Sequence, residues 1–338
     1  RACVGENPSS FYDMVRYHLG WVDEGGVTVL KTGGKALRPI LCLLSCSAVG
    51  GDYHKALPAA AAIEMMHNFS LIHDDIQDQS PQRRHRPTVW RVWGEAQAIT
   101  AGDGLHVMAH LALLRLAERG TSPDIVLATF RILDRACLDL CEGQNLDLSF
   151  EGQDRVSLDD YLTMVRKKTG ALFDASTRIG ALLGSGDERS VMALGDFGQE
   201  LGLSFQIQDD VLGIWGMEET TGKPSLDDIR TRKKSLPIVH AMAKVQGLDS
   251  QRLEEAYGVG AGSAFGVGAG LKPAPTLVDE TVASVLSILE TAGSREFCQS
   301  LARDYWDRAI SRLDNLSLET DAYNALIGLA QRLVERQV

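Results

Sequence analysis

Apolar residues recur every three or four positions along almost every long segment of the chain, and few stretches alternate as strands would. The spacing predicts helices over Phe11–Leu19, Leu37–Ala48, Pro58–Asp78, Glu95–Ala117, Pro123–Cys141 and Leu158–Leu183. It continues over Ser190–Leu212, Ser235–Val245, Leu277–Ala292, Arg295–Leu313 and Asp321–Val338. Ser157 and Ser294 read as capping residues, and Pro58 as a first helical position. Ala59–Met66 is apolar on nearly all sides, with Glu64 the exception, and Leu201–Phe205 lacks charge. Helices of that kind lie inside a bundle. The pattern breaks at Gly258–Gly270, which contains Gly-Val-Gly-Ala-Gly twice. No strand precedes it and its spacing fits neither nucleotide fingerprint, so 258–276 reads as a flexible inter-helix loop. The helices beyond it continue the bundle. The fold class expected is all-α, with 1–338 as a single domain.

Both of the apolar segments run into acids. The first cluster is His73-Asp74-Asp75-Ile76-Gln77-Asp78, and the second is Gln208-Asp209-Asp210. Burying a carboxylate is costly unless it is paired or binds a metal. Asp74 and Asp78 are four apart and share a helix face, while Asp75 points about 100° away. Mg²⁺ uses few carboxylates and completes its shell with water and phosphate. Carboxylates from two helices fit that habit.

Composition narrows the partners. The chain has 338 residues, 44% of them hydrophobic, so a large core is possible. A net charge of −11 argues against general nucleic-acid binding. No run is apolar enough for a membrane span; Ala96–Ala117 carries Asp103, two histidines and Arg115. No signal peptide is visible. The six cysteines include two pairs four apart on helical segments, Cys42/Cys46 and Cys137/Cys141. No histidine completes a zinc-like spacing, so they read as buried free thiols in a reduced, cytoplasmic protein.

Against that acidic background the cations stand out in five places: Lys35 and Arg38, Arg83-Arg84, Arg166-Lys167-Lys168, Lys223, and Lys233-Lys234. Arginine binds phosphate bidentately and lysine acts as a point charge. Acids with cations interleaved suggest Mg²⁺ ions holding a substrate diphosphate.

These pieces, in order, resemble the trans-isoprenyl diphosphate synthases, the farnesyl and geranylgeranyl diphosphate synthase family. The matching residues are Gly33-Gly34-Lys35-Ala36-Leu37-Arg38-Pro39, His67 through Asp78, Arg83 through Thr88, Gly102-Asp103, Gly143-Gln144 with Asp147, Lys168-Thr169, Phe205 through Asp210, and Gly222-Lys223 with Asp228. The resemblance implies a helical bundle of the isoprenoid synthase type with a central active-site cavity. It implies that Asp74 and Asp78 bind two Mg²⁺ ions with Asp75 nearby, and that Asp209 binds a third with Asp210 supporting. Arg83, Lys168 and Lys223 would grip the allylic diphosphate (dimethylallyl, geranyl or farnesyl). Lys35, Arg38, His67 and Arg84 would hold isopentenyl diphosphate. Thr169 and Gln206 would face the reacting carbons, and Lys233 would help close the site. A homodimer is implied in the same way.

Two departures matter. The family's second motif usually ends in a third aspartate, where this chain has Gly213, and a glycine is usual where His85 stands. Product length is expected to depend on Phe69 and Ser70, five and four positions before Asp74. That combination resembles synthases of the geranylgeranyl type, with the farnesyl type second. A terpene cyclase shares the fold and first motif, but its second motif needs Ser at 213 and Glu at 217, where this chain has Gly213 and Met217. A non-catalytic subunit of a heteromeric synthase should have lost metal or phosphate residues, and this chain lacks just the aspartate at 213.

Overall fold

The computed structural model describes residues 4, 9–29, 34–216, 226–258 and 276–335. Its helices are α1 Ser10–His18, α2 Leu37–Ala48, α3 Tyr53–Gln77, α4 Val89–Trp93, α5 Glu95–Glu118 and α6 Pro123–Glu151. They continue with α7 Leu158–Val165, α8 Ala171–Gly184, α9 Glu188–Trp215, α10 Asp227–Arg230 and α11 Leu236–Lys244. The last are α12 Leu248–Tyr257, α13 Asp279–Thr291, α14 Ser294–Ser311 and α15 Thr320–Val334. A two-residue antiparallel pair, β1 Gln82–Arg83 with β2 Arg86–Pro87, is the sheet among the described residues. The all-α expectation is met.

The chain divides into two compact units. The first comprises 1–137, 172–195 and 315–326, and the second 138–171, 196–314 and 327–338. In the first, α3 lies along α5. Ala59, Ala62, Ile63 and Met66 of α3 and Ala101, Leu105, Ala109 and Leu113 of α5 are buried. Alanine and glycine let the two axes approach: a Cβ on Gly102 would fall 2.3 Å from the His73 ring. In the second, Tyr161, Met164, Leu203, Ile207, Val211 and Leu236 belong to one core cluster. Ile229, Ile238, Leu253, Val285 and Leu289 belong to another.

Several boundaries differ from the periodicity. Helix α3 starts at Tyr53, capped by Asp52, so Pro58 sits inside it and not at its first position. Proline cannot donate to the carbonyl four residues back. That carbonyl, of His54, instead accepts from Arg119 Nη1 at 2.9 Å. Ser157 caps α7 as expected, accepting from Asp160 N. Ser294 does not cap: it is the first residue of α14, behind Gly293 at φ 66°. The expected helix 158–183 is interrupted by a π-helical turn at Arg166–Gly170. Helix α6 runs ten residues past Cys141. Lys234 Nζ donates to its Phe150 carbonyl at 2.7 Å and also to Gln153 O, which satisfies the helix end. Cys42, Cys46, Cys137 and Cys298 are buried free thiols, but Cys141 is exposed. Cys3 lies outside the described residues.

Candidate active site

The last turn of α3 delivers the first acids. Asp74 is half-buried, Asp75 is buried, and Asp78 is exposed just past the helix end. The backbone N–H of Asp78 donates to Asp74 O at 2.9 Å, which keeps it in register. Asp75, about 100° round the helix from Asp74, faces the interior. Arg83 from β1 meets it there: Nε donates to Asp75 Oδ1 at 2.7 Å, and Nη2 lies 3.5 Å from Asp74 Oδ2. Burial pushes the Asp75 carboxyl up to about 6, with Arg83 pulling against it. Arg83, expected on a diphosphate, is thus anchored on the acids.

The hairpin after these acids turns at Arg84 and His85, whose φ values are 54° and 59°. Arg86 holds the hairpin to the first helix. It donates to Val22 O at 2.7 Å and Tyr17 O at 3.2 Å, and lies 4.0 Å over the Tyr17 ring. Tyr17 in turn donates to Pro87 O at 2.8 Å. The Arg84 guanidinium packs on Gly34, where a Cβ would come within 2.5 Å of its Nη2. Lys35 is exposed, followed by Ala36 in the left-handed region. Arg38, in the first turn of α2, stacks on Phe173 and reaches His67, with Nη1 3.2 Å from Nε2. Arginine can only donate, so His67 Nε2 accepts and the ring is neutral. Burial, then Arg38 and Arg84, hold its pKa well below the usual value. His18 behaves likewise: burial, then Arg84 and Arg83, bring it down to about 3. Expected phosphate ligands Lys35, Arg38, His67 and Arg84 all lie in the first unit. Phe69 is buried, edge-on to His73 and His106, with ring centroids 5.5 and 5.2 Å away. Ser70 Oγ donates to His67 O at 2.8 Å.

The second acids sit near the end of α9 in the other unit. Asp209 is exposed and Asp210 is buried. Asp210 accepts from Tyr161 Oη at 2.6 Å, Leu236 N at 2.9 Å, Gln206 Nε2 at 3.1 Å and Lys233 Nζ at 3.3 Å. A carboxylate has about four acceptor sites, so this one is filled by protein donors. Asp210 is a hub of protein hydrogen bonds beside Asp209. It also places negative charge at the N-terminus of α11. Burial opposes the charge on Lys233, yet Asp210, Asp228, Asp147 and Asp209 outweigh it and hold the ammonium well above the usual lysine value.

The π-helical turn presents Lys168 and Thr169. Such turns add a residue and are frequent at functional sites. Gly143 of α6 makes room for it: a Cβ there would lie 2.3 Å from Lys168 N. Lys168 Nζ then donates to Asp147 Oδ2 at 2.5 Å. Thr169 Oγ1 donates to Gln206 Oε1 at 2.8 Å, and Gln206 donates on to Asp210. Thr169, Gln206, Asp210 and Lys233 thus form one connected network. Lys223 lies outside the described residues. Tyr161 and His18 were not singled out by sequence, and Arg86 and Lys234 were read there without these structural roles. Nothing in the local pattern marks them, since each gains its partner from a distant element.

Among the described residues no three His, Cys, Asp or Glu side chains converge to cage an ion. Mg²⁺ takes one or two carboxylates plus water and substrate phosphate, so exposed Asp78 and Asp209 and half-buried Asp74 suit that ion. Among the described residues no helix is long and apolar enough to cross a membrane.

The helical bundle with two aspartate pairs, each beside its own cations, defines the all-α isoprenoid synthase class. Residues 20–264 match the polyprenyl synthetase family model. The chain is 40% identical over 334 residues to a (2E,6E)-farnesyl diphosphate synthase of Mycobacterium tuberculosis, covering 96% of this chain and 86% of that protein. It is 38% identical to a geranylgeranyl diphosphate synthase of the same organism, with the same coverage. Among solved structures, a polyprenyl synthetase from Streptomyces coelicolor superposes with a TM-score of 0.87 at 40% identity, covering 98% of this chain and 94% of that one. A geranylgeranyl pyrophosphate synthase from Corynebacterium glutamicum, complexed with isoprenyl diphosphate and magnesium, gives 0.78 at 25% identity, covering 90% and 87%. The chain belongs to the polyprenyl synthetase family, and it is a short-chain trans-prenyltransferase.

Proposed function

We propose that the enzyme condenses isopentenyl diphosphate head to tail with an allylic diphosphate, with geranylgeranyl diphosphate as the product. The observation that carries the length is buried Phe69, five residues before Asp74 and backed by the His106 ring. Farnesyl diphosphate is the second reading, favoured by the 40% identity to a farnesyl diphosphate synthase.

Asp74, Asp78 and Asp209 would hold Mg²⁺, three ions in all. Bound there, Mg²⁺ neutralises charge on the departing diphosphate. Lys168 and Lys223 grip the allylic diphosphate. Arg83, anchored by Asp75, adds positive charge beside Asp74. Lys35, Arg38 and Arg84 bind isopentenyl diphosphate, and neutral His67 offers it a further contact. Such preorganised donors stabilise charge as the allylic carbon–oxygen bond breaks. Thr169 and Gln206, fixed by their mutual hydrogen bond, turn their oxygens toward the allylic cation. The double bond of isopentenyl diphosphate attacks that cation. The proton then leaves to the released diphosphate.

A second copy of the chain would cover the outer face of α5, where Ile99, Val107, Leu111 and Leu114 are exposed at helical spacing. The free thiols fit the reduced, cytoplasmic setting expected from the sequence.

The test is incubation with Mg²⁺, isopentenyl diphosphate and each allylic diphosphate, followed by product analysis. A C20 diphosphate is expected, and a C15 end product would select the farnesyl reading. Asp74→Ala should abolish turnover with the fold intact; near-normal turnover would refute the metal assignment.

A further inference from the structure

The second acid pair is followed by a position with no side chain, and another acid occupies the space. Gly213 lies four residues after Asp209 on α9, on the same helix face. A Cβ at Gly213 would sit 2.4 Å from Asp228 Oδ2 and 2.6 Å from its Cγ. Asp228, from α10, is buried. Its Oδ2 lies 3.6 Å from Lys233 Nζ, the ammonium that also contacts Asp210 at 3.3 Å. The backbone supports the approach: Arg232 takes a left-handed conformation (φ 59°), and Lys233 N donates to Asp228 O at 2.9 Å. Asp210 and Asp228 therefore both lie within ion-pair distance of one lysine, and Asp147 and Asp209 add negative charge around it. Buried charges persist where they are paired.

We propose that Asp228 supplies the third carboxylate of the second acid group, entering over Gly213 into the space a side chain at 213 would fill. Gly213 is the residue that admits it. Asp228 is a positioning residue: it orients Lys233 and adds negative charge beside Asp209. This rests on the reading of Asp209 and Lys233 as diphosphate and Mg²⁺ binders.

The probe is inorganic pyrophosphate with Mg²⁺, followed by titration calorimetry on the full chain, with circular dichroism to confirm each fold. Asp228→Asn should weaken Mg²⁺-dependent pyrophosphate binding about thirtyfold or more, the scale for truncating one partner of a buried charge group. Gly213→Ala should weaken it similarly without removing any charge, because the new Cβ displaces the carboxylate. The transposed variant Gly213→Asp/Asp228→Gly should bind more tightly than Asp228→Gly alone. A role limited to packing would give no such recovery. Wild-type binding by Asp228→Asn, or no recovery in the transposed variant, would overturn the inference and leave the diphosphate reading standing. No Mg²⁺-dependent pyrophosphate binding by the unsubstituted protein would overturn both.

Discussion

Asp209 and Asp210 are neighbours in sequence, yet their substitutions should have opposite consequences. Asp210 is 1% exposed and accepts four hydrogen bonds, one of them from a charged lysine. In Asp210→Asn a single amide oxygen replaces two carboxylate oxygens, and the new NH₂ confronts donors. At least one donor among Tyr161, Leu236 N and Gln206 is stranded, and Lys233 keeps Asp228 alone at 3.6 Å. Breaking a buried charge pair from one side costs about 3–5 kcal/mol. Tyr161→Phe removes one donor and leaves the carboxylate with three, so the loss should be nearer about 1.5 kcal/mol, the low end for hydrogen bonds to charged groups. Asp209 is exposed, and surface substitutions usually stay within about 0.5 kcal/mol.

Urea unfolding followed by circular dichroism measures all three variants, with prenyl transfer assayed in parallel. Asp209→Asn should fold like the parent and lose turnover. Asp210→Asn should lose stability first, and Tyr161→Phe should fall between. If Asp210→Asn costs under about 1 kcal/mol, or Asp209→Asn costs as much as Asp210→Asn, the hub assignment is wrong.

Three further outcomes can be measured. Phe69→Ala should lengthen the main product; chromatography showing an unchanged length removes Phe69 as the floor of the chain pocket. His85→Gly should stabilise the protein by about 0.5–1 kcal/mol. A left-handed L-residue costs about 1–2 kcal/mol, and glycine returns about 0.5–1 through its greater freedom when unfolded. A lowered urea midpoint would refute it. His18 is held neutral at a pKa of about 3, against 6.5 when unfolded. Its contribution is complete above pH 6.5 and is lost as pH falls toward 3. At pH 5.5 the loss amounts to about 1 kcal/mol after allowing for partial exposure. His18→Asn should flatten the melting temperature between pH 7.5 and 5.5; an unchanged slope would refute it.

Helical periodicity was readable wherever a segment's own sequence decides its ends. Leu37–Ala48 agrees residue for residue. It failed where a distant partner decides: Arg119 takes the carbonyl that Pro58 cannot bind, and Lys234 closes the end of α6. The acids followed the same rule. Their identities and spacing were legible, but which member of each pair faces inward was not, because the turns just before both pairs carry no Asp, Glu, Lys or Arg to mark a solvent face. The structure resolves both pairs by burial. Adjacent helical residues diverge by about 100°, so one aspartate must turn in when its neighbour turns out. In each pair the inward one meets a cation, Arg83 on Asp75 and Lys233 on Asp210. That cation is held beside the outward aspartate by a buried partner that cannot swing away. An Asp-Asp pair therefore divides two jobs that one aspartate could not do: the second residue fixes a positive charge beside the more exposed first. Exchanging either inward aspartate for asparagine should then loosen the cation without touching the outward carboxylate, which is why stability, and not activity alone, is the measurement that separates the two members.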